Sequence, residues 1–184
     1  MREIPLTQGK VAIVDEEDAD RVLAFKWSAT RCRDTGRYYA GRREGRRFVS
    51  LHRFILNAPP DRQVDHVNRD GLDNRRSNLR LATPSQNQWN RERRSDNRTG
   101  FKGVFAHKSG KWQALIKANR KHIYLGLFDS KEDAARAYDL AALLLHGEFA
   151  RINFPAESEL LRRVLARTQA ATAPTRRKRH KAVP

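Results

Sequence analysis

Residues 63–94 read QVDHVNRDGLDNRRSNLRLATPSQNQWNRERR, and this stretch decides the fold. Val64 and Val67 flank an Asp65-His66 pair and close a short apolar alternation, which predicts a strand. A turn rich in Asp, Asn and Arg follows, then Leu79-Arg80-Leu81 as a second strand. A helix start comes next: Thr83 suits the N-cap, Pro84 the first helical position, and Gln86 the far side of a capping box. Asn87 and Asn90 then share one face of that helix. The expected order is therefore strand, loop, strand, helix, with Asp65 and His66 near the end of the first strand. Neighbours in a regular strand point to opposite faces, so the pair can serve one site only if the chain bends at Asn68-Arg69-Asp70-Gly71.

In type, order and spacing together these residues resemble the HNH endonucleases, the ββα-metal nuclease family, over Ser50 to Arg93. The version is H-N-N, with Asn78 in the middle position and Asn87 in place of the last His. The resemblance implies that the Asp65 carboxylate and the Asn87 amide oxygen hold a divalent metal, Mg²⁺ or Mn²⁺, leaving positions open for DNA and water. It implies His66 as general base, because an imidazole titrating near pH ~6.5 can accept a proton at neutral pH. Asn78 is implied as a catalytic-site residue that pins the loop orienting His66 and is not a ligand. Arg75, Arg76 and Arg80 are candidate DNA contacts. Asn90 is the weaker claimant for the metal and is expected instead at a solvated helix position, and Asp73 is expected to cap the NRRSNLR turn and not to bind metal.

The chain has 184 residues, enough for one ordinary domain or two small ones. Lys and Arg number 38 against 21 Asp and Glu, a net charge of +17, which calls for a polyanionic partner such as nucleic acid. The basic residues are interleaved with apolar and aromatic ones, so folded binding surfaces are expected. Cys32 is the one cysteine, which excludes a disulfide framework and a paired-cysteine zinc site, and fits an intracellular setting. Cys32 itself reads as a small buried hydrophobe. No apolar run approaches the ~18 residues of a membrane span, and the first residues show no signal-peptide core.

Upstream, KVAIVD reads as a strand, and EEDADRVLAFKW as a helix with Asp15 as N-cap and Val22, Leu23 and Phe25 to Trp27 as its apolar stripe. Short strands follow between Ser28 and Ser50, turning at Asp34-Thr35-Gly36 and Glu44-Gly45, with Tyr38, Tyr39, Phe48 and Val49 pointing inward. This α+β cap completes the core of a motif too small to bury enough surface alone. His52, in SLHRFIL, is expected to orient or pack and not to catalyse.

Downstream the pattern changes. FKGVFAHK, KWQALIKAN and KHIYLGLF are three strands of period two, and SKEDAARAYDLAALLLHG is a helix capped by Asp129 or Ser130. Its core positions are Ala134, Ala135, Tyr138, Ala141 and Leu145. FKGV, GKWQALI, YLGLFDSKEDAARAYDLAA and the closing NFP resemble the plant ethylene-response-factor DNA-binding domain, the AP-two fold. That resemblance implies a three-stranded sheet laid in the DNA major groove with the helix behind it. The DNA contacts it implies are Lys102, His107, Lys111, Trp112, Lys117, His122 and Tyr124. Trp112 reads equally well as a core residue. Lys102, Phe105, Lys117 and His122 stand where the plant domains usually have arginine, so the plant target is not carried over.

The expected architecture is α+β in two domains. Residues 1–94 form an HNH domain with its cap, 95–100 a linker, 101–155 an AP-two-like domain, and 156–184 a basic tail containing RRKRHK. The pairing resembles free-standing homing-type endonucleases of phages and bacteria. The expectation is a metal-dependent enzyme acting on double-stranded DNA, without structural zinc or a membrane segment. It would be a monomer or weak dimer in the cytoplasm of a bacterial or phage-infected cell. A transcription-factor-like binder with a merely structural HNH module is the main alternative, and a structured-RNA nuclease the second.

Overall fold

The computed structural model describes residues 1–33, 35–93, 96–163 and 165; the basic run RRKRHK and part of the Asp34 turn lie outside them. The chain is α+β and divides into two compact units, Met1–Arg91 and Glu92–Pro184.

The first unit opens with strands β1 (Arg2–Pro5) and β2 (Val11–Val14), paired antiparallel. Helix α1 (Glu16–Leu23) follows, starting at Asp15 as expected. The Asp15 side chain does not cap it, because that carboxylate accepts the backbone N–H of Arg76 at 2.7 Å. Strands β3 (Ser28–Arg31), β4 (Tyr38–Glu44) and β5 (Arg47–Ser50) form an antiparallel sheet, and α2 (Leu51–Leu56) leads on from it. Ile4, Val14, Val22, Trp27, Leu51 and Ile55 make the core, and burying each large aliphatic side chain contributes roughly 2 kcal/mol. Two expectations fail here. Phe48 is exposed, because Val49 beside it faces the core and strand neighbours alternate. The α1 stripe is shorter than expected, since the helix ends at Leu23 and both Leu23 and Phe25 are largely exposed. Cys32 is half-buried.

Strand β6 (Gln63–His66) pairs antiparallel with β7 (Leu79–Ala82), and α3 (Pro84–Trp89) follows at once. This is the strand, loop, strand, helix order expected. The capping box is complete: Thr83 Oγ1 accepts from Gln86 N at 3.2 Å, and Gln86 Oε1 accepts from Thr83 N at 2.8 Å. The long loop between the strands is tied to the cap, with Ile13 N donating to Leu72 O and Asn74 N to Ile13 O. Gly71 sits where a Cβ would collide with the Tyr38 carbonyl and the Tyr39 ring, so only glycine lets the loop approach β4 this closely.

The second unit has β8 (Val104–Ala106), β9 (Trp112–Ala118) and β10 (Lys121–Phe128), with β9 central and all pairs antiparallel. Helix α4 (Lys131–His146) crosses one face, its N-terminus capped by Ser130 Oγ on Asp133 N at 3.0 Å. Small helix residues bring it close: Ala134, Ala135, Ala141 and Ala142 are buried against Val104, Ala114 and Ile116. Gly103 leaves room for the Tyr138 ring, where any Cβ would collide. The core positions hold except Leu145, which is exposed, while Leu143 is buried. His146 takes the inward place in that turn, its Nε2 lying 3.0 Å from the Lys117 carbonyl. After α4, Asp139 accepts the backbone N–H groups of Asn153 and Phe154, stapling the NFP segment to the helix.

Candidate active site

Asp65 and His66 close β6, and both side chains are buried, at 5% exposure each. Their neighbours differ. Asp65 stands directly opposite Arg80 in the ladder, and Arg80 donates to its Oδ2 from Nε at 2.9 Å and Nη2 at 2.7 Å. Asn90, at the end of α3, donates its amide to Oδ1 at 3.0 Å, Oδ2 at 3.1 Å and the His66 carbonyl at 3.0 Å. Asn90 is thus buried on the Asp65 carboxylate and not solvated, because α3 lies across β6 and ends over that residue. Among the described residues Oδ2 takes three donors and Oδ1 one.

His66 packs between aromatic rings, with the Tyr39 centroid at 5.9 Å and the His52 centroid at 5.1 Å. Its Nε2 lies 3.4 Å from Oδ1 of the fully buried Asn74. Burial pulls the His66 pKa below its usual value, against the opposing pull of Asn74 and nearby carboxylates, so the ring is neutral at neutral pH. Because an amide oxygen only accepts, a hydrogen bond to Asn74 Oδ1 requires the proton on Nε2 and makes Nδ1 the basic nitrogen. Burial takes His52 down to about 3, and its Nδ1 is buried without a hydrogen-bond partner among the described residues. The His52 ring packs edge-on against the Tyr39 and His66 rings, at 6.3 and 5.1 Å between centroids.

Asn78 ends the 3₁₀ turn Arg76–Asn78 and stitches the loop together. Its Oδ1 accepts from Asn68 N at 2.9 Å, and its Nδ2 donates to Asn68 Oδ1 at 2.9 Å and to the Asp73 carbonyl at 2.7 Å. Asp73 accepts from Arg75 N and receives the Arg75 guanidinium on both oxygens, which holds its carboxyl below the usual range. Among the described residues Asn87 makes no hydrogen bond to Asp65. Its Nδ2 donates to Gln63 Oε1 at 2.7 Å, and Gln63 is two residues before Asp65 on the same strand face.

The arginines expected on DNA turn to the protein's own carboxylates: Arg75 to Asp73, Arg76 to Asp18, and Arg80 to Asp65. Arg80 is the most enclosed, with its side chain 14% exposed. In the second unit Lys117, His122 and Tyr124 stand exposed on the face away from α4. Trp112 has the strand parity of Ala114 and Ile116 and packs with the helix-side cluster, so the core alternative is the one realised. His107 bonds Ser109 in the turn after β8, Lys111 pairs with Asp129 at 3.0 Å, and Lys102 is half-buried beside Asn153. Asn74 is the residue the sequence reading missed, and Asn90 the one it placed in solvent. Asn90 had a signal, its place three residues after Asn87, whereas nothing local marks Asn74 among the asparagines of the loop.

The first unit thus places a buried carboxylate and a buried imidazole at the end of one strand of a ββα frame, and the second unit is a three-stranded sheet packed on a helix. Comparison with known proteins agrees. Residues 57–89 match the family described as HNH endonuclease, and residues 99–148 match the AP2 domain. An uncharacterized HNH endonuclease of Acanthamoeba polyphaga mimivirus is 32% identical over 152 residues, covering 79% of this chain and 76% of that protein. An ethylene-responsive transcription factor of Arabidopsis thaliana is 47% identical over 75 residues, 40% of this chain and 29% of that protein. An APETALA2-like protein of Oryza sativa is 50% identical over 56 residues, 29% of this chain and 13% of that protein. The chain belongs to the HNH endonuclease family and carries an AP2 domain in its second unit. The chain spans less than a third of either plant relative's length.

Proposed function

We propose that this protein is a metal-dependent, site-recognising DNA endonuclease of the homing type. Residues 1–94 would carry the chemistry, 95–100 a linker, and 101–155 the address. The observation that carries the reading is the buried Asp65-His66 pair at the end of β6, with His66 Nε2 3.4 Å from Asn74 Oδ1.

The donor chemistry fits Mg²⁺ or Mn²⁺. Among the described residues no three His, Cys, Asp or Glu side chains gather; the oxygen donors are the Asp65 carboxylate and the Asn87 amide oxygen, whereas Asn90 turns its amide N–H to Asp65. Such hard oxygen donors suit ions that keep several waters and share coordination with substrate phosphates. Asp65 would hold the ion through Oδ1, its less engaged oxygen, and Asn87 through its amide oxygen, its Nδ2 being committed to Gln63. When bound, the ion supplies Lewis-acid polarisation of a phosphoryl oxygen and of the leaving oxygen.

The protein's own residues do the rest. His66 Nδ1 takes a proton from water as the water oxygen attacks phosphorus, and the bond to the 3′ oxygen breaks, that oxygen taking a proton from solvent to leave as a hydroxyl. Asn74 holds the imidazole in the tautomer that leaves Nδ1 free, and Asn78 keeps the loop carrying Asn74 closed on itself. Arg80 and Asn90 hold the carboxylate in place. A single centre of this kind cuts one strand, so a monomer nicks and a double-strand break needs a second binding event. The working place would be the cytoplasm of a bacterial or phage-infected cell.

One observation favours the rival, a DNA binder with an idle first unit: the Arg80–Asp65 pair at 2.7 Å is also what a structural ion pair looks like. Supercoiled plasmid incubated with the protein and Mg²⁺, with and without chelator, separates the two. Chelator-sensitive conversion to open circles supports the enzyme. Intact plasmid under Mg²⁺ and Mn²⁺, with duplex still shifted in a gel, supports the binder.

A further inference from the structure

The register of the second unit fixes which side chains stand together on the sheet face turned away from α4. Phe105 is opposite Gln113, and Gln113 is opposite Leu127, so these three form one row across all three strands. Leu115 and Tyr124 form the next row, and Lys117 and His122 the last. The face is unusually apolar for one left open to water: Phe105 is 48% exposed, Tyr124 56% and Leu127 38%. Its hydrogen-bonding side chains in the first row come down to one amide, Gln113. The flanking positions Lys108, Lys111, Arg120 and Lys121 are basic and exposed, which matches a polyanion running along the rim.

Base pairs differ in what they show such a face. In the major groove a G·C pair offers O6 and N7 acceptors, best met by Arg, whereas an A·T pair offers adenine N6 and N7 beside a thymine methyl group. A glutamine side chain matches adenine N6 and N7 with two hydrogen bonds, and an aromatic or aliphatic side chain buries the methyl. The row Phe105–Gln113–Leu127 presents both at once, with the amide in the middle and an apolar group on either side. No arginine stands in any of the three rows.

We infer that the outer sheet face reads A·T pairs, with Gln113 contacting adenine and Phe105, Leu127 and Tyr124 contacting thymine methyl groups. This rests on the second unit being the part that addresses DNA. Lys117 and His122, at the far end of the face, then contact the adjoining step or its phosphates.

The test uses the full chain carrying His66→Ala, to keep DNA uncut, and a randomised duplex library. Bound DNA should be enriched in an A·T-rich core. Each thymine of that core is then replaced by deoxyuridine, which removes only the methyl group and leaves the protein untouched. Affinity should fall by about fourfold at a contacted thymine, the effect of leaving one methyl group unburied. In Phe105→Ala or Leu127→Ala proteins the same replacement should have no effect at one of those positions. Gln113→Ala should lose about tenfold in preference for adenine at its position. A G·C-rich core, or affinity indifferent to deoxyuridine at every thymine, overturns the inference while leaving the addressing role intact. Failure to retain any duplex overturns the addressing role as well.

Discussion

Asp65 in the first unit and Asp139 in the second are both buried carboxylates, yet they are held by different kinds of partner. Asp139 is fully buried and accepts backbone N–H groups from Asn153 and Phe154 at 2.7 to 2.9 Å, with the Asn153 amide added. Burial raises its pKa and those bonds oppose the rise. Backbone donors cannot swing aside without unfolding the segment, so Asp139 is a staple. Asp65 is held by the ends of two side chains, Arg80 and Asn90. Side-chain ends can move by changing rotamer, so this carboxylate can accept a new partner while the fold stays intact. The difference separates a carboxylate kept for stability from one available for chemistry.

Breaking the staple should have the largest effect on the fold. Asp139→Ala leaves the backbone N–H groups of Asn153 and Phe154 without their acceptor, and we expect a loss of about 3 kcal/mol in chemical denaturation. DNA binding would be lost with the second unit. Asp139→Asn retains an acceptor oxygen and should lose less.

Acid should strike the other unit. His52 has a folded pKa of about 3 against ~6.5 unfolded, so between these values only the unfolded chain binds the proton. Its contribution is therefore complete above pH ~6.5 and is lost as pH falls toward 3, amounting to roughly 3 kcal/mol at pH 4. Thermal melts of His52→Phe should show a shallower decline between pH 7 and 4 than wild type. Equal slopes would mean the imidazole is not shielded as described.

Loosening the Asp65 end should cost function before stability. Asn90→Ala removes the donor shared by both carboxylate oxygens, and positioning partners of this type typically contribute 10–100-fold, so plasmid nicking should fall by about that factor. Melting in Mg²⁺-free buffer should change little by comparison. If stability collapses instead, Asn90 belongs with the staples. The smallest effect is expected on the open sheet face, where Lys117→Ala should weaken duplex binding and reduce the slope of log affinity against log salt by about 1.

Legibility in the sequence followed the range of the interaction. Thr83, Pro84 and Gln86 were readable because a capping box spans four residues and needs no partner elsewhere. The start of α4 was readable for the same reason to within Asp129 or Ser130, and Ser130 is the residue that caps it. Alternation forbids Phe48 and Val49 from both facing inward, but which of them does so depends on how β5 pairs with β4. Arg80 was read as a DNA contact because its place opposite Asp65 depends on the β6–β7 register. Asn74 and the Asp15 carboxylate depend on contacts made across the fold, the latter with Arg76, 61 residues away. The frame of the site was local and visible, whereas the residues that hold it were not.

One assay meets the central claim most directly: strand cleavage by His66→Ala protein on DNA that it demonstrably occupies. With Mg²⁺ and saturating protein, wild type should nick the footprinted duplex, while His66→Ala gives the same footprint with nicking at least about 100-fold slower. Undiminished nicking by His66→Ala at equal occupancy would place the chemistry somewhere other than the imidazole at the end of β6.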